Sequence, residues 1–161
     1  MTEMLEKTER TYGNGHDRPL GGYMGILATY GAGVAGAAMA VVLTKRKLPE
    51  RVGVLDIALM AACTHKVSRR LAKDPVMSPL RAPFTRYEGQ GGPSEVQEEP
   101  RGPMGELLAC PFCLAQWAAT AYAVGLVCAP RVTRLVGATM TAVAVSDWLQ
   151  LGYAKLMKSA G

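Results

Sequence analysis

The sequence predicts an all-α membrane protein, a polytopic helical bundle with three or four spans and a Pro/Gly-rich cytoplasmic loop. Of its 161 residues, 49% are apolar and only 19% are charged, whereas soluble domains carry roughly 25% charged residues. The 18 Lys and Arg residues lie between long apolar stretches rather than inside them. Several of these stretches are long enough, as helices, to cross a hydrocarbon layer ~30 Å thick.

The chain divides into a polar N-terminal tail, residues 1–22, and a single helical membrane domain, residues 23–161. The tail lacks an apolar core followed by a small-residue cleavage site, so no cleavable signal peptide is predicted. The domain is predicted to contain helices at about 23–44, 52–73, 111–129 and 133–154, with the loop at 74–110.

The first predicted helix carries no charge over residues 23–43, which rise about 31 Å as a helix. Small residues recur at every fourth position, and in a membrane such a ladder lets a second helix approach closely. The ladder consists of Ala28, Ala32, Gly36 and Ala40. It predicts packing against a second copy of the chain or another membrane protein, although general Gly and Ala richness explains the pattern equally well.

The second predicted helix ends in four basic residues that fall within an arc of about 100°. They are Lys66, Arg69, Arg70 and Lys73. We expect this basic patch to face lipid and to meet anionic headgroups. Asp56, near the start of the helix, is expected either to face a partner or cavity or to act as a helix N-terminal acid.

Residues 74–105 contain enough prolines and glycines to predict a mobile loop without long regular elements. A short amphipathic piece is expected near residues 77–84. Pro111 suits the first turn of the third helix, Pro130 ends that helix, and residues 131–134 are predicted to form a tight turn. Trp148 is placed as an interfacial anchor in the last helix.

The distribution of Lys and Arg sets the expected orientation. With four spans the N-terminus is inside, and 12 of the 18 basic residues lie in the cytoplasm. With the second helix in the interface the N-terminus is outside, and 13 lie in the cytoplasm. Both arrangements place the long loop and the C-terminus on the cytoplasmic side of a bacterial inner membrane.

Cys110 and Cys113 form a Cys-Pro-Phe-Cys sequence at the start of the third helix. Unpaired N–H groups and the helix dipole stabilise a thiolate there, as in dithiol redox sites. The same spacing supplies half of a tetrahedral zinc site, which His65 or Cys63 could complete if the second helix packs nearby, with Asp74 as a further neighbour. In the third interpretation the pair are small packing residues.

The glycines Gly31, Gly33 and Gly36 fit the spacing of a dinucleotide-binding fingerprint, and Asp56 follows where a ribose-binding acid belongs. The rest of the chain shows no strand–helix alternation that would build the required sheet. Dinucleotide binding is therefore kept only as a remote alternative.

From about residue 52 to the C-terminus, the sequence resembles DUF-thirteen-sixty, a family of small bacterial membrane proteins of unknown function. The segments that carry the resemblance are 65–74, 79–84, 106–113 with Trp117, 130–131 and 146–147. The Cys-x-x-Cys-x-x-x-Trp block is the most specific of them, and the first helix lies outside the match. The resemblance implies an integral membrane protein and brings no established activity.

The sequence favours a structural or interaction protein over an enzyme. Its predicted partners are the anionic lipid bilayer and a second copy of the chain or another membrane protein. Nucleic acid is not expected as a partner, because aromatic residues make up only 6% of the chain and no stripe of aromatic and basic residues is present.

Overall fold

The computed structural model describes residues 2–16 and 18–160, which are mostly helical. Seven α-helices occur among them: α1 (Thr2–Gly13), α2 (Leu20–Leu43), α3 (Val54–Lys73), α4 (Ser78–Arg81), α5 (Gly102–Ala109), α6 (Pro111–Cys128) and α7 (Pro130–Ala160). A 3₁₀ turn spans Pro75–Met77, and two strands, β1 (Thr85–Gln90) and β2 (Val96–Pro100), form a hairpin.

The four long helices occupy the stretches in which the sequence predicts helices. The largest difference is at α7, which begins at Pro130 and includes residues 131–134, so the predicted tight turn is wrong. Proline fits the first turn of a helix because its missing N–H has no partner there, and Ala129 alone separates α6 from α7. Helix α1 lies in the predicted tail. Residues 1 and 17 of that tail and residue 161 of the predicted domain lie outside the described residues.

Helix α2 runs parallel to α6. Near the start of α2, the Tyr23 hydroxyl donates to Glu106, just before α6, over 2.8 Å. Just after α2, Arg46 donates to the carbonyl oxygen of Cys128, at the end of α6, over 2.6 Å. Between these contacts the Tyr30 ring packs edge-on against Trp117 at 5.1 Å between ring centroids.

Helix α3 runs parallel to α7, with an ion pair near each end of their contact. The Arg134 guanidinium donates to both carboxylate oxygens of Asp56, over 2.8 and 3.0 Å. Further along both helices Lys66 pairs with Asp147. Asp56 therefore faces a partner, as one of the two interpretations of the sequence expected, and it also lies in the first turn of α3.

Small residues allow α6 and α7 to pack closely as an antiparallel pair. A Cβ added at Gly137 would meet the Tyr122 ring, with the Cε2 atom 2.9 Å away, and one added at Gly125 would lie 2.6 Å from the Thr133 hydroxyl. The helices α2, α3, α6 and α7 thus alternate in direction. The N-terminus of α2, the C-terminus of α3, the hairpin and the Cys110/Cys113 pair lie at one end of the bundle.

Strands β1 and β2 pair antiparallel, from Thr85 opposite Pro100 to Gln90 opposite Val96. A bulge precedes Gly89, whose φ of 147° lies in a region that favours glycine. The bulge adds one residue to β1 and locally bends that strand.

The hairpin corrects two predictions: the fold is mostly helical rather than all-α, and residues 74–110 are not an irregular loop. The 3₁₀ turn, α4, the hairpin and α5 fill that segment. The prediction failed because the prolines and most of the glycines lie at or near the ends of elements or between them, with Gly105 inside α5 as an exception. Pro79 and Pro103 occupy first-turn positions of α4 and α5, and residues 91–94 form the turn of the hairpin.

A buried ion pair joins the hairpin to the helices. The side chain of Arg81 is 1% exposed and that of Glu98 is 4% exposed. Arg81 donates through Nε and Nη2 to the two carboxylate oxygens of Glu98 over 2.8 and 2.9 Å. It also donates to the backbone carbonyls of Leu71 and Asp74 at the end of α3, over 2.7 and 3.1 Å.

The Glu98 carboxylate accepts two further hydrogen bonds, from the Thr85 hydroxyl over 2.9 Å and from the Ser78 hydroxyl over 3.1 Å. Both buried charges are therefore fully hydrogen-bonded, which is the condition under which burial of an ion pair is tolerated. The Arg81 guanidinium holds the pKa of the Glu98 carboxyl below its ordinary value despite burial, and the hydroxyls act in the same direction.

Substitution Arg81→Met should lower the free energy of unfolding by about 3–5 kcal/mol, because it leaves the Glu98 carboxylate buried without a countercharge. Thermal unfolding of the purified protein, followed by circular dichroism, measures the loss. The depressed pKa of Glu98 stabilises the folded protein fully above about pH 4.3, and this contribution is lost as the pH falls towards the folded-state pKa. The deficit of Arg81→Met relative to wild type should therefore shrink in acid.

The matched control is Arg86→Met, which removes an exposed arginine from the same hairpin. Arg86 pairs with Glu88 over 3.6 Å, and its side chain is 65% exposed, so the loss should stay below about 1 kcal/mol. Equal melting temperatures for the two variants would contradict the structural role of the Arg81–Glu98 pair.

Candidate functional site

A cleft of about 760 Å³ lies between α3, α7 and the turn of the hairpin. Its volume falls within the range of small-molecule sites, roughly 300–1,000 Å³. Its charged and aromatic lining residues are His65, Lys66, Arg69, Arg70, Asp74, Glu95, Asp147 and Trp148. Three of the four residues of the predicted basic patch line this cleft, which makes it the candidate site.

Two ion pairs connect the elements around the cleft. Lys66, whose side chain is 17% exposed, pairs with Asp147 across the contact between α3 and α7. One turn further along α3, Arg69 pairs with Glu95 on the turn of the hairpin. The first pair ties two helices together, and the second ties the hairpin turn to α3.

The other two residues of the basic patch lie towards the end of α3. Arg70 donates to Asp74 over 3.2 Å, and Asp74 also accepts from the Val76 backbone N–H over 2.9 Å, which caps the 3₁₀ turn. Lys73 is partly exposed. Carboxylates of the chain thus meet three of the four basic charges, and lipid contact by this patch stays a prediction.

His65 lies on the cleft side of α3, with its ring 6.1 Å from that of Trp148. The structure does not assemble the donor set of the predicted zinc site from His65 and the cysteine pair. Over residues 2–16 and 18–160, no group of three or more His, Cys, Asp or Glu side chains could hold a metal ion. Cys63 is buried in α3 as a free thiol, and zinc binding stays a prediction.

Cys110 and Cys113 are joined by a disulfide at the junction of α5 and α6, with their Cα atoms 5.2 Å apart. Cys110 is the N-cap of α6, and its Sγ accepts from the Cys113 backbone N–H over 3.1 Å. Cys113 is exposed, and Phe112 between the cysteines is 90% exposed. The pair is therefore open to a partner, in the position where a helix N-terminus stabilises a thiolate.

The model of the family described as "Protein of unknown function (DUF1360)" matches residues 59–153, more than half of the chain. The chain belongs to the DUF1360 family. No curated protein and no solved structure matches it.

The DUF1360 match begins within α3 and ends within α7. It therefore covers the cleft, the Arg81–Glu98 pair and the disulfide, and it leaves out α1 and α2. This confirms the family predicted from the sequence over residues 59–153, with the first long helix outside the match.

The dinucleotide interpretation is wrong. Gly31, Gly33 and Gly36 lie in the interior of α2, whereas the fingerprint requires glycines at a turn between a strand and a helix. Asp56 does not serve a ribose, because its carboxylate is occupied by Arg134.

The small-residue ladder lies on the exposed surface of α2. Ala28, Ala32, Gly36 and Ala40 are all exposed in the single chain. The face of α2 that meets α5 and α6 carries Tyr23 and Tyr30 instead. The predicted packing against another helix involves residues that the chain leaves uncovered, and it stays a prediction.

The sequence pattern of this DUF1360 chain does not indicate the roles of Arg81, Glu98 and Glu95. In the sequence, Arg81 stands out only as part of the segment 79–84 that carries the family resemblance. The Gly-Gly-Pro-Ser sequence at 91–94, between two short polar runs, was a turn signal that could have revealed the hairpin.

Proposed function

We propose that this DUF1360 chain is a multi-pass membrane protein with a structural or interaction role, and that α2, α3, α6 and α7 all span the bilayer. The observation that carries the proposal is the exposed apolar surface of two helices. Leu20–Leu43 and Pro111–Cys128 have windows of mean hydropathy 1.9 and 1.4, of which 0% and 11% is buried. Apolar surface left in water costs roughly 25 cal/mol per Å², so this surface favours a lipid environment.

The alternating directions of the four helices support four spans rather than three. Helix α3 packs lengthwise against α6 and α7, and its 20 residues rise about 30 Å. If α6 crosses the bilayer, α3 crosses with it instead of lying along the interface. An unpaired charge inside the bilayer would be costly. In the Asp56–Arg134 and Lys66–Asp147 pairs, each charged side chain has a partner of opposite charge.

The distribution of basic residues supports a bacterial inner membrane orientation with both termini in the cytoplasm. The end of the bundle that carries the hairpin, the disulfide, the start of α2 and the end of α7 has 12 of the 18 Lys and Arg residues when those of α1 are included, in keeping with the positive-inside rule. On this side, the basic patch of α3 would contact anionic headgroups. The ladder on α2 would contact a second copy or another membrane protein.

Labelling of single cysteines in a variant without native cysteines tests this topology. Four spans place the connector 44–53 outside, whereas three spans with an external N-terminus place it inside. An impermeant maleimide should therefore label Lys47→Cys in intact bacterial cells, and should label Ser159→Cys only after lysis. Arg131→Cys, which is external in both arrangements, is the matched positive control.

Protection of Lys47→Cys together with labelling of Thr8→Cys in intact cells would contradict four spans. Recovery of the protein in the soluble fraction would contradict the membrane proposal as a whole.

A second candidate function is thiol–disulfide exchange, favoured by the disulfide at the N-terminus of α6. A thiolate of a partner dithiol protein would attack the exposed Cys113 Sγ and break the Cys110–Cys113 bond, with Cys110 leaving as a thiolate. The partner's second thiol would then displace Cys113, so two electrons pass from the partner to the pair.

Substitution Cys110→Ser leaves Cys113 without its resolving thiol, so it should accumulate mixed disulfides with a partner. Acid quenching of cells, alkylation and non-reducing electrophoresis would reveal adducts that disappear on reduction. Cys128→Ser, which leaves the pair intact, is the control and should give none. An absence of adducts in Cys110→Ser, with the pair reduced under all growth conditions, would rule out the exchange.

A further inference from the structure

The turn of the hairpin holds a carboxylate against a guanidinium in the cleft. Arg69 contacts Glu95 through both Nε and Nη2. The side chains are 46% and 27% exposed, so solvent screens the pair, and such pairs contribute only about 0–1 kcal/mol. An anion that enters the cleft could therefore replace Glu95 at little cost.

The base of the hairpin differs from its turn in this respect. At the base, the Arg81–Glu98 pair is buried and every hydrogen bond is satisfied, so this part is fixed to α3. At the turn, Ser94 has a φ of 59°, and Glu95 reaches α3 through its side chain. The turn can release Arg69 without disturbing the base.

Of the three basic residues that line the cleft, one can give up its carboxylate partner to an anion. Lys66 is paired with Asp147 across two helices. Arg70 is paired with Asp74, which the Val76 backbone N–H also holds in place. The Glu95 carboxylate is held by Arg69, so this pair is the one an anion can exchange. Departure of Glu95 would leave one uncompensated guanidinium, whose planar N–H groups match two phosphate oxygens.

The position of the cleft points to a lipid as the source of that phosphate. Trp148 lines the cleft and is 53% exposed, and tryptophan is enriched at the level of lipid headgroups. If α3 and α7 span the bilayer, the cleft opens at the cytoplasmic headgroup layer. Phosphatidylcholine carries its own cation beside the phosphate and competes poorly for an arginine, whereas an anionic lipid has no such internal partner.

We propose that the cleft binds the phosphodiester of one anionic phospholipid, and that Glu95 occupies the phosphate position until the lipid displaces it from Arg69. The inference rests on the proposed membrane location. It adds a defined headgroup site, and it makes the hairpin turn a competitor for that site.

Opposite effects of two substitutions test the proposal. Glu95→Gln removes the competitor and should lower the dissociation constant for short-chain phosphatidylglycerol about threefold. Arg69→Gln removes the phosphate ligand and should raise it about tenfold or more. Native mass spectrometry of the full chain in nonionic detergent, titrated with dihexanoyl phosphatidylglycerol, measures both constants and should show one bound lipid in the wild type.

The matched controls make the same charge changes on the same hairpin, outside the cleft. Glu88→Gln and Arg86→Gln alter an exposed pair and should leave the dissociation constant within about twofold of wild type. Dihexanoyl phosphatidylcholine should bind at least about tenfold more weakly than phosphatidylglycerol.

Three results would overturn the proposal. Equal effects of Glu95→Gln and Glu88→Gln would mean that net charge alone attracts the lipid. Weaker binding by Glu95→Gln would mean that Glu95 supports the site rather than competing for it. Competition by glycerol phosphate at the same concentration as the lipid would assign the cleft to a soluble phosphate ester. Each can occur in a membrane-embedded protein, so failure here is distinct from failure of the membrane proposal, which the labelling experiment detects.

Discussion

The apolar surface that α2 and α6 leave uncovered is the constraint on which the rest of the account depends. None of the described residues of α2 is buried, and its contacts with α6 use a few polar and aromatic side chains such as Tyr30, Gln116 and Thr120. Interhelical hydrogen bonds of this kind are a means by which helices associate where no hydrophobic effect drives them together. In lipid, the same surface would need no further protein cover.

Charge in the bundle follows from that constraint. Within the long helices, Asp56 pairs with Arg134 and Lys66 with Asp147, and both pairs join α3 to α7. At the end of the bundle, the buried Arg81–Glu98 pair fixes the base of the hairpin. The hairpin turn can therefore present Glu95 at the cleft while its base stays in place. The buried Arg81–Glu98 pair thus positions the weak, exchangeable Arg69–Glu95 pair.

Sequence reasoning located the long helices because uncharged stretches bounded by charges or prolines determine them directly. It identified the basic end of α3 and the cysteine pair for the same reason, since each signal is local. It missed the hairpin because β1 and β2 are short and polar, and because one of their buried side chains is Glu98. A carboxylate is predicted to be exposed unless its partner is known. The partner of Glu98 is Arg81, which lies 17 residues earlier in the chain. The cleft could not be predicted either, because its lining residues come from α3, α7 and the hairpin, which are far apart in the sequence.

The solvent of α2 and α6 can be determined directly by alkaline carbonate extraction of membranes from cells that express the full chain. If lipid surrounds these helices, the protein remains in the pellet after high-speed centrifugation at pH 11 and is released only by detergent. Recovery of folded, monomeric protein from the supernatant without detergent would show that water is the solvent of these helices, and the account would be contradicted.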